Sequence, residues 1–189
     1  LMEGVLPEFD GAGAIREPSG STLTGIVPTN TYLCIDNKHV VIGANGDSIY
    51  VRLMNAIGRT DLANDPKLST NSGRVENQVE IDEAIASWTS SNSSEQVMQI
   101  LEDAEVPVGL IYNIKDMLED PHYQSRELFE QVEVGGKSLK IPAILPKLSK
   151  TPGHTNHPGP QLGSSTMSTL RELGYTEDQL NSMKTDGDI

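Results

Sequence analysis

An α+β fold is what this 189-residue sequence predicts. Two pairs of short β-branched runs each flank a turn signal, and helical periodicities lie between them. Stretches rich in Gly and Pro bracket the whole. A chain of this length accommodates one domain and a tail. The pattern places a small domain of short antiparallel strands, hairpins and helices at residues 28–142. A connector occupies 1–27, and an extended connector with C-terminal helices occupies 143–189.

Residues 1–30 read as loop, because Gly11, Gly13, Pro18, Gly20, Gly25 and Pro28 punctuate them. The runs TYLCI (31–35) and HVVIG (39–43) flank Asp36-Asn37-Lys38, a hairpin with turn-forming residues at its tip. Asp47 or Ser48 is placed to cap a helix to about Ile57, with Ile49, Leu53, Ala56 and Ile57 at helical spacing and Gly58 ending it. Leu62 and Ala63 lead to an Asp65-Pro66 turn. A long helix is expected from Arg74 to Thr89, its apolar stripe drawn from Val75, Val79, Ala86, Ile81, Ile85 and Trp88. Ser94 is the expected cap of a helix from Glu95 to Ala104. VGLIY (108–112) reads as a strand, Asn113 as the cap of a short helix to Leu118, and Asp120-Pro121 as the start of another to about Leu128. FEQVEV (129–134) and SLKIP (138–142) flank Gly135-Gly136, a second hairpin. Pro142, Pro146, Pro152, Pro158 and Pro160 keep the next stretch extended. Helices then follow at Thr166–Leu173 and, capped by Thr176, at Glu177–Met183. Val41, Val79, Ile85 and Ile111 are expected in one core that also includes the second hairpin.

Composition narrows the function classes. A net charge of −13 repels phosphate backbones, so nucleic acid is not an expected partner. No apolar run of membrane-spanning length occurs, so no membrane partner is expected. Residues 1–20 lack the charged and apolar regions of a signal peptide. The start, without Met and as if mid-helix, suggests an internal cut. Cys34 is the single cysteine; within TYLCI it reads as a buried, inert thiol rather than a nucleophile. These features fit a reducing compartment, the cytoplasm or, for a eukaryotic source, the mitochondrial matrix.

Motifs alone carry little chemistry. GANGDS (43–48) lacks the Lys of a phosphate loop, and a plain strand-to-helix turn is favoured over an anion site at the helix start. His154 and His157 lie in a Pro/Gly-rich loop without further ligands, so no metal site is expected. His39 and His122 read as structural or solvent-facing. The sequon at Asn92-Ser93-Ser94 has no meaning in a reducing compartment.

Five pieces in a fixed order carry a resemblance. They are IREPSGSTLTGIVP (15–28), TYLCIDNKHVVIGANGDSIYVRLMNAIGRTDLANDPK (31–67), a lone Arg74, VPVGLIYNIKDMLEDPHYQSREL (106–128), and GPQLGSSTMSTLRELGYTEDQL with a final DGDI. Together, from Arg16 to Ile189, they resemble the small domain and C-terminal return of family III CoA-transferases, the carnitine/bile-acid-inducible group. One departure is Gly163-Ser164-Ser165-Thr166, where the family usually has Gly-Glu-His-Thr.

The resemblance implies transfer of CoA from an acyl-CoA donor to a carboxylic, possibly dicarboxylic, acid through a covalent Asp intermediate. It implies no permanent cofactor, CoA and acyl-CoA being substrates. That Asp belongs to a Rossmann-like large domain, so no catalytic residue is expected in this chain and it should be inactive by itself; neither Asp36 nor Asp47 matches the motif. The small domain is expected to contribute a substrate loop, Gly20, Ser21 and Gly25, whose glycines admit close backbone approach; the same residues also fit a flexible linker. Arg16 fits an acid substrate or, preferably, a structural carboxylate. The arms are expected to pack on the large domain within an interlocked homodimer, with Met167, Leu170 and Leu173 facing that domain or a second chain. An acyl-CoA racemase of the same fold, which abstracts an α-proton, and a non-catalytic interaction module are the alternatives.

Overall fold

The computed structural model describes residues 3–189; residues 1 and 2 of the expected connector lie outside it. Contacts divide the chain into two compact units, one ending at Tyr112 and the other running Asn113–Ile189. Each is described by itself.

The first unit opens with a helix, α1 (Val5–Ala12), where the glycines and proline suggested loop. Pro7 lies in its first turn, where a missing N–H costs nothing. Gly13 ends it at φ 65°, donating its N–H to the Phe9 carbonyl.

Strands β1 (Thr29–Leu33) and β2 (His39–Gly43) form the expected antiparallel hairpin, with Leu33 opposite His39. The first strand sits two residues earlier than TYLCI suggested. Cys34 and Ile35 belong to the turn, where Asn37 takes a left-handed φ of 60° and the Ile35 N–H leaves the ladder for the Asn92 carbonyl. Strand β3 (Val108–Leu110) pairs antiparallel with the other side of β2, making β2 central. Ile111 and Tyr112 lie beyond β3, although the Ile111 N–H still donates to His39.

Helix α2 (Asp47–Ala56) starts from Gly46 without the side-chain cap expected of Asp47 or Ser48. Helix α3 (Thr60–Ala63) and a 3₁₀ turn (Pro66–Leu68) follow, the latter capped by the Asp65 carboxylate, which accepts the Lys67 N–H at 2.9 Å. The single helix expected over 74–89 is two, α4 (Asn71–Glu76) and α5 (Gln78–Thr89). They break at Asn77, whose φ of −113° is not helical and whose side chain donates back to the Gly73 carbonyl. Helix α6 (Ser94–Asp103) is capped by Ser93, in a reciprocal pair with Gln96, and not by Ser94.

Tyr32, Val40 and Ile42 of the sheet pack with Tyr50, Leu53 and Met54 of α2, Ile81 and Ile85 of α5, and Val97 and Leu101 of α6. Of the four core residues expected, only Ile85 is buried. Val41 and Val79 are 42% and 71% exposed, and Ile111 is 49% exposed. Val41 points to the face of β2 opposite its buried neighbours Val40 and Ile42. On α5 the buried stripe runs through Ile81 and Ile85, which leaves Val79 on the outer side. Cys34 is buried, and burial, followed by the nearby Asp36 charge, pushes its thiol pKa up.

In the second unit, Asn113 caps α7 (Ile114–Glu119) and Asp120 caps α8 (Pro121–Ser125). The last stops before the expected Leu128, as Glu127 takes φ 49°. Hairpin β4 (Phe129–Val134) and β5 (Lys137–Pro142) turns through Gly135 and Gly136, both at positive φ, the geometry a tight two-residue turn requires. Residues 143–165 contain no helix or strand. Helices α9 (Thr166–Glu172) and α10 (Glu177–Asp186) close the chain, with Thr176 capping α10 and Leu180 fully buried. Met167 and Leu170 are half-buried and Leu173 is exposed. No described helix is long and apolar enough to cross a membrane.

Candidate functional site

The loop between α1 and β1 carries the three residues singled out from the sequence. Gly20 and Gly25 take φ 67° and 80°, the left-handed region that favours glycine, and no neighbouring atom would meet a Cβ at either. Their requirement is therefore conformational, and both face open space. Ser21 donates its hydroxyl to Asn30 Oδ1 at 2.7 Å. Ser19 and Thr22 tie the tip together, each hydroxyl donating to the other's carbonyl at 2.9 and 2.8 Å. All three candidates are solvent-exposed, and Gly25, with Arg16, Thr22 and Gln78, lines an open cleft of about 560 Å³ that Gly20 and Ser21 do not line.

Arg16 engages a structural carboxylate. Its Nε and Nη2 each donate to Glu8 of α1 at 2.6 Å, a bidentate pair. That guanidinium holds the Glu8 carboxyl below its ordinary pKa.

The downstream end of the loop is held from another element. The Asn71 side chain donates from Nδ2 to the Gly25 carbonyl at 2.9 Å and accepts the Val27 N–H on Oδ1 at 3.1 Å. One helical turn later lies Arg74, a fully buried cation. Its Nε donates to the Val27 carbonyl at 3.0 Å and its Nη1 to the Leu68 carbonyl at 3.1 Å. Its Nη2 donates to the Asn45 carbonyl at 2.6 Å and to Asp47 Oδ1 at 2.8 Å. The guanidinium carbon sits 4.9 Å from the centre of the Tyr50 ring. All three nitrogens of the planar fork are thus used to join the loop, the GANGD turn and the 3₁₀ turn. Sequence reasoning noticed Arg74 only as part of a pattern and missed Asn71.

The remaining candidates are structural. At the start of α2 the chain supplies its own anion: Asp47 lies in the first turn and pairs with Arg74, which supports the plain-turn reading of GANGD. Asp36 accepts the Ser94 hydroxyl at 2.7 Å and the Ser94 N–H at 3.1 Å, joining the hairpin to α6. Those bonds, with one from the Lys38 N–H, hold its carboxyl below the ordinary range. The same engagement takes Ser94 out of the capping position. Tyr32 donates its hydroxyl to Asp82 at 2.6 Å, and burial and that partner push the phenol pKa up. In the second unit, a cleft of about 590 Å³ is lined by Glu130, Lys147 and His154 among others, and Glu130 is occupied by the Ile144 and Thr155 N–H groups. No cluster of three or more potential metal ligands occurs among the described residues.

Comparison with known proteins adds what geometry does not. The profile of CoA-transferase family III matches residues 1–166. The succinyl-CoA–D-citramalate CoA-transferase of Chloroflexus aurantiacus is 39% identical over 184 residues, covering 95% of this chain and 45% of that protein. The alpha subunit of succinyl-CoA–L-malate CoA-transferase from the same organism is 31% identical, covering 92% of this chain and 41% of that subunit. Among solved structures, a CAIB/BAIF family protein from Brucella suis has the same fold, with a TM-score of 0.74 at 20% identity over 92% of this chain and 44% of its own. The chain spans less than half the length of these relatives.

Proposed function

Because the chain belongs to CoA-transferase family III, we propose that it is the small-domain and C-terminal portion of an enzyme that moves CoA from succinyl-CoA to a second carboxylic acid, most simply another dicarboxylic acid. The observation that carries this reading is 39% identity, over 95% of this chain, to a transferase named for a succinyl-CoA donor and a dicarboxylic acceptor. The reaction begins when an enzyme Asp carboxylate attacks the thioester carbonyl, expelling CoA thiolate and leaving a mixed anhydride. The thiolate attacks the aspartyl carbonyl, which frees succinate and gives an enzyme thioester. The acceptor carboxylate attacks that thioester to form a second anhydride and free the thiolate, which then attacks the acceptor's acyl carbon and restores Asp. The covalent route divides one difficult exchange into easier steps.

We assign the Asp to the part of the relatives that lies outside the matched span. Asp36 and Asp47 are engaged by Ser94 and Arg74, which supports leaving them out of the chemistry. Gly20, Ser21 and Gly25 form the loop that closes over the reacting centre, their glycines giving the backbone access to a developing oxyanion. Residues 1–27 and 143–189 are the two crossings between small and large domains, in an interlocked homodimer, and the exposed Leu173 belongs to that packing.

The test pairs the whole protein with the present chain. The whole protein, given succinyl-CoA and a panel of four- and five-carbon dicarboxylic acids, should yield acceptor-CoA by mass spectrometry. Residues 1–189 alone should acquire no acyl or CoA adduct. An adduct on an Asp or Glu of this chain overturns the assignment of the nucleophile. Epimerisation of a 2-methylacyl-CoA without transfer would replace this reading with the racemase.

A further inference from the structure

We propose that Asn71, backed by Arg74, is the positioning residue that keeps the 14–25 loop closed on the reacting thioester, so that its loss admits water as a competing acceptor. The inference rests on the function proposed above and goes beyond it by naming the anchor and what the anchor prevents.

The two ends of the loop are held differently. From Ser19 to Leu23 the contacts come from the loop itself or the adjoining strand: the Ser19–Thr22 exchange, Ser21 on Asn30, and the Leu23 N–H on the Thr29 carbonyl at 3.3 Å. At Gly25–Val27 the clamp comes from a helix more than forty residues away. The Asn71 amide bonds both sides of Ile26, donating to one peptide and accepting from the next, as a neighbouring strand would. Arg74 then takes the Val27 carbonyl. Residues three apart on a helix share a face, so both act on the same short stretch.

The clamp itself has no slack. A Cβ at Gly73, between the two anchors, would stand 1.7 Å from the Lys67 carbonyl oxygen, so α4 lies directly against the 3₁₀ turn and cannot slide. Gly25, with its left-handed φ, adjoins the clamped peptide and is the point from which the free part of the loop departs. Releasing Asn71 therefore loosens the loop at its root while the Arg74 network remains intact. A site that opens more often admits water, which adds to the thioester carbonyl and gives free acid and CoA thiol in place of acceptor-CoA.

The experiment uses the whole protein with succinyl-CoA and its best dicarboxylic acceptor. It reads the ratio of thioester hydrolysis to transfer, which a smaller folded fraction does not alter. Asn71→Ala removes both bonds. Asn71→Asp keeps the acceptor for Val27 and sets a carboxylate oxygen against the Gly25 carbonyl, a second variant at a half-exposed position. Asn71→Asp should raise the ratio about fivefold, the shift that one lost neutral hydrogen bond produces, and Asn71→Ala, which loses two, up to about thirtyfold; hydrogen exchange should quicken across residues 14–27 in both. An unchanged ratio in both variants, with wild-type transfer intact, overturns the inference. Absence of transfer by the wild-type protein instead removes the function on which it rests.

Discussion

Replacing Arg74 with Met removes a buried guanidinium while approximately keeping its volume. Two of its acceptors, the Val27 and Leu68 carbonyls, belong to residues only 1% and 2% exposed, and the substitution leaves both without a donor. A hydrogen bond to a charged group contributes about 1.5–3 kcal/mol, and each buried carbonyl left without a donor costs about 1–3 kcal/mol, so the two together set the scale. The Asn45 carbonyl and the Asp47 carboxylate reach solvent and recover bonds from water, so they add little. The expected loss is about 3–5 kcal/mol, or roughly 10–20 °C in melting temperature for a unit of this size. Urea and thermal unfolding of residues 1–189, followed by circular dichroism and Trp88 fluorescence, measure it. Arg74→Lys should recover less than half, because one ammonium cannot reach the three carbonyls that the fork spans. A loss below about 1 kcal/mol for Arg74→Met would refute the claim that this cation organises the first unit.

Two further outcomes follow from named contacts. Gly73→Ala should destabilise by about 2 kcal/mol or more, since the obstructing atom is the Lys67 backbone oxygen and not a movable side chain; in an open helix the same change stabilises, so a raised melting temperature contradicts the close approach. The Ser94 donors lower the Asp36 pKa, so its contribution to stability is complete above the ordinary carboxylate value of about 3.9 and is lost as pH falls through the depressed folded value. Ser94→Ala removes the hydroxyl donor and should move the Asp36 titration, followed by NMR, up toward the ordinary value. An unmoved midpoint would deny the coupling.

The sequence made local structure readable and long-range structure opaque. Both hairpins were visible because their turn residues, Asp36-Asn37 and Gly135-Gly136, interrupt β-branched runs. Which face of a strand turns inward was not: HVVIG is apolar on both sides, so alternation cannot choose between Val41 and the pair Val40 and Ile42. Residues 75–88 likewise offer two stripes, and only packing selects Ile81 and Ile85 over Val79. The break at Asn77 had a local signal in a residue whose side chain competes for backbone bonds. Helix α1 was obscured by Pro7 and the glycines, although the first turn tolerates proline. At the candidate site, Gly20, Ser21 and Gly25 were picked out by resemblance. Asn71 and Arg74 act on residues 44 and 47 positions away, a relation no spacing rule contains.

Cys34 gives the first unit an internal clock. It is the single thiol in the chain, it is 2% exposed, and its raised pKa slows even the reaction of any molecule that reaches it. It sits at the hairpin tip beside Asp36, where β1 ends and the contacts to α6 begin. A thiol reagent can therefore label it only in molecules whose structure around the hairpin end has opened. Labelling rates at rising reagent concentration would measure how often this opening occurs under native conditions, without denaturant.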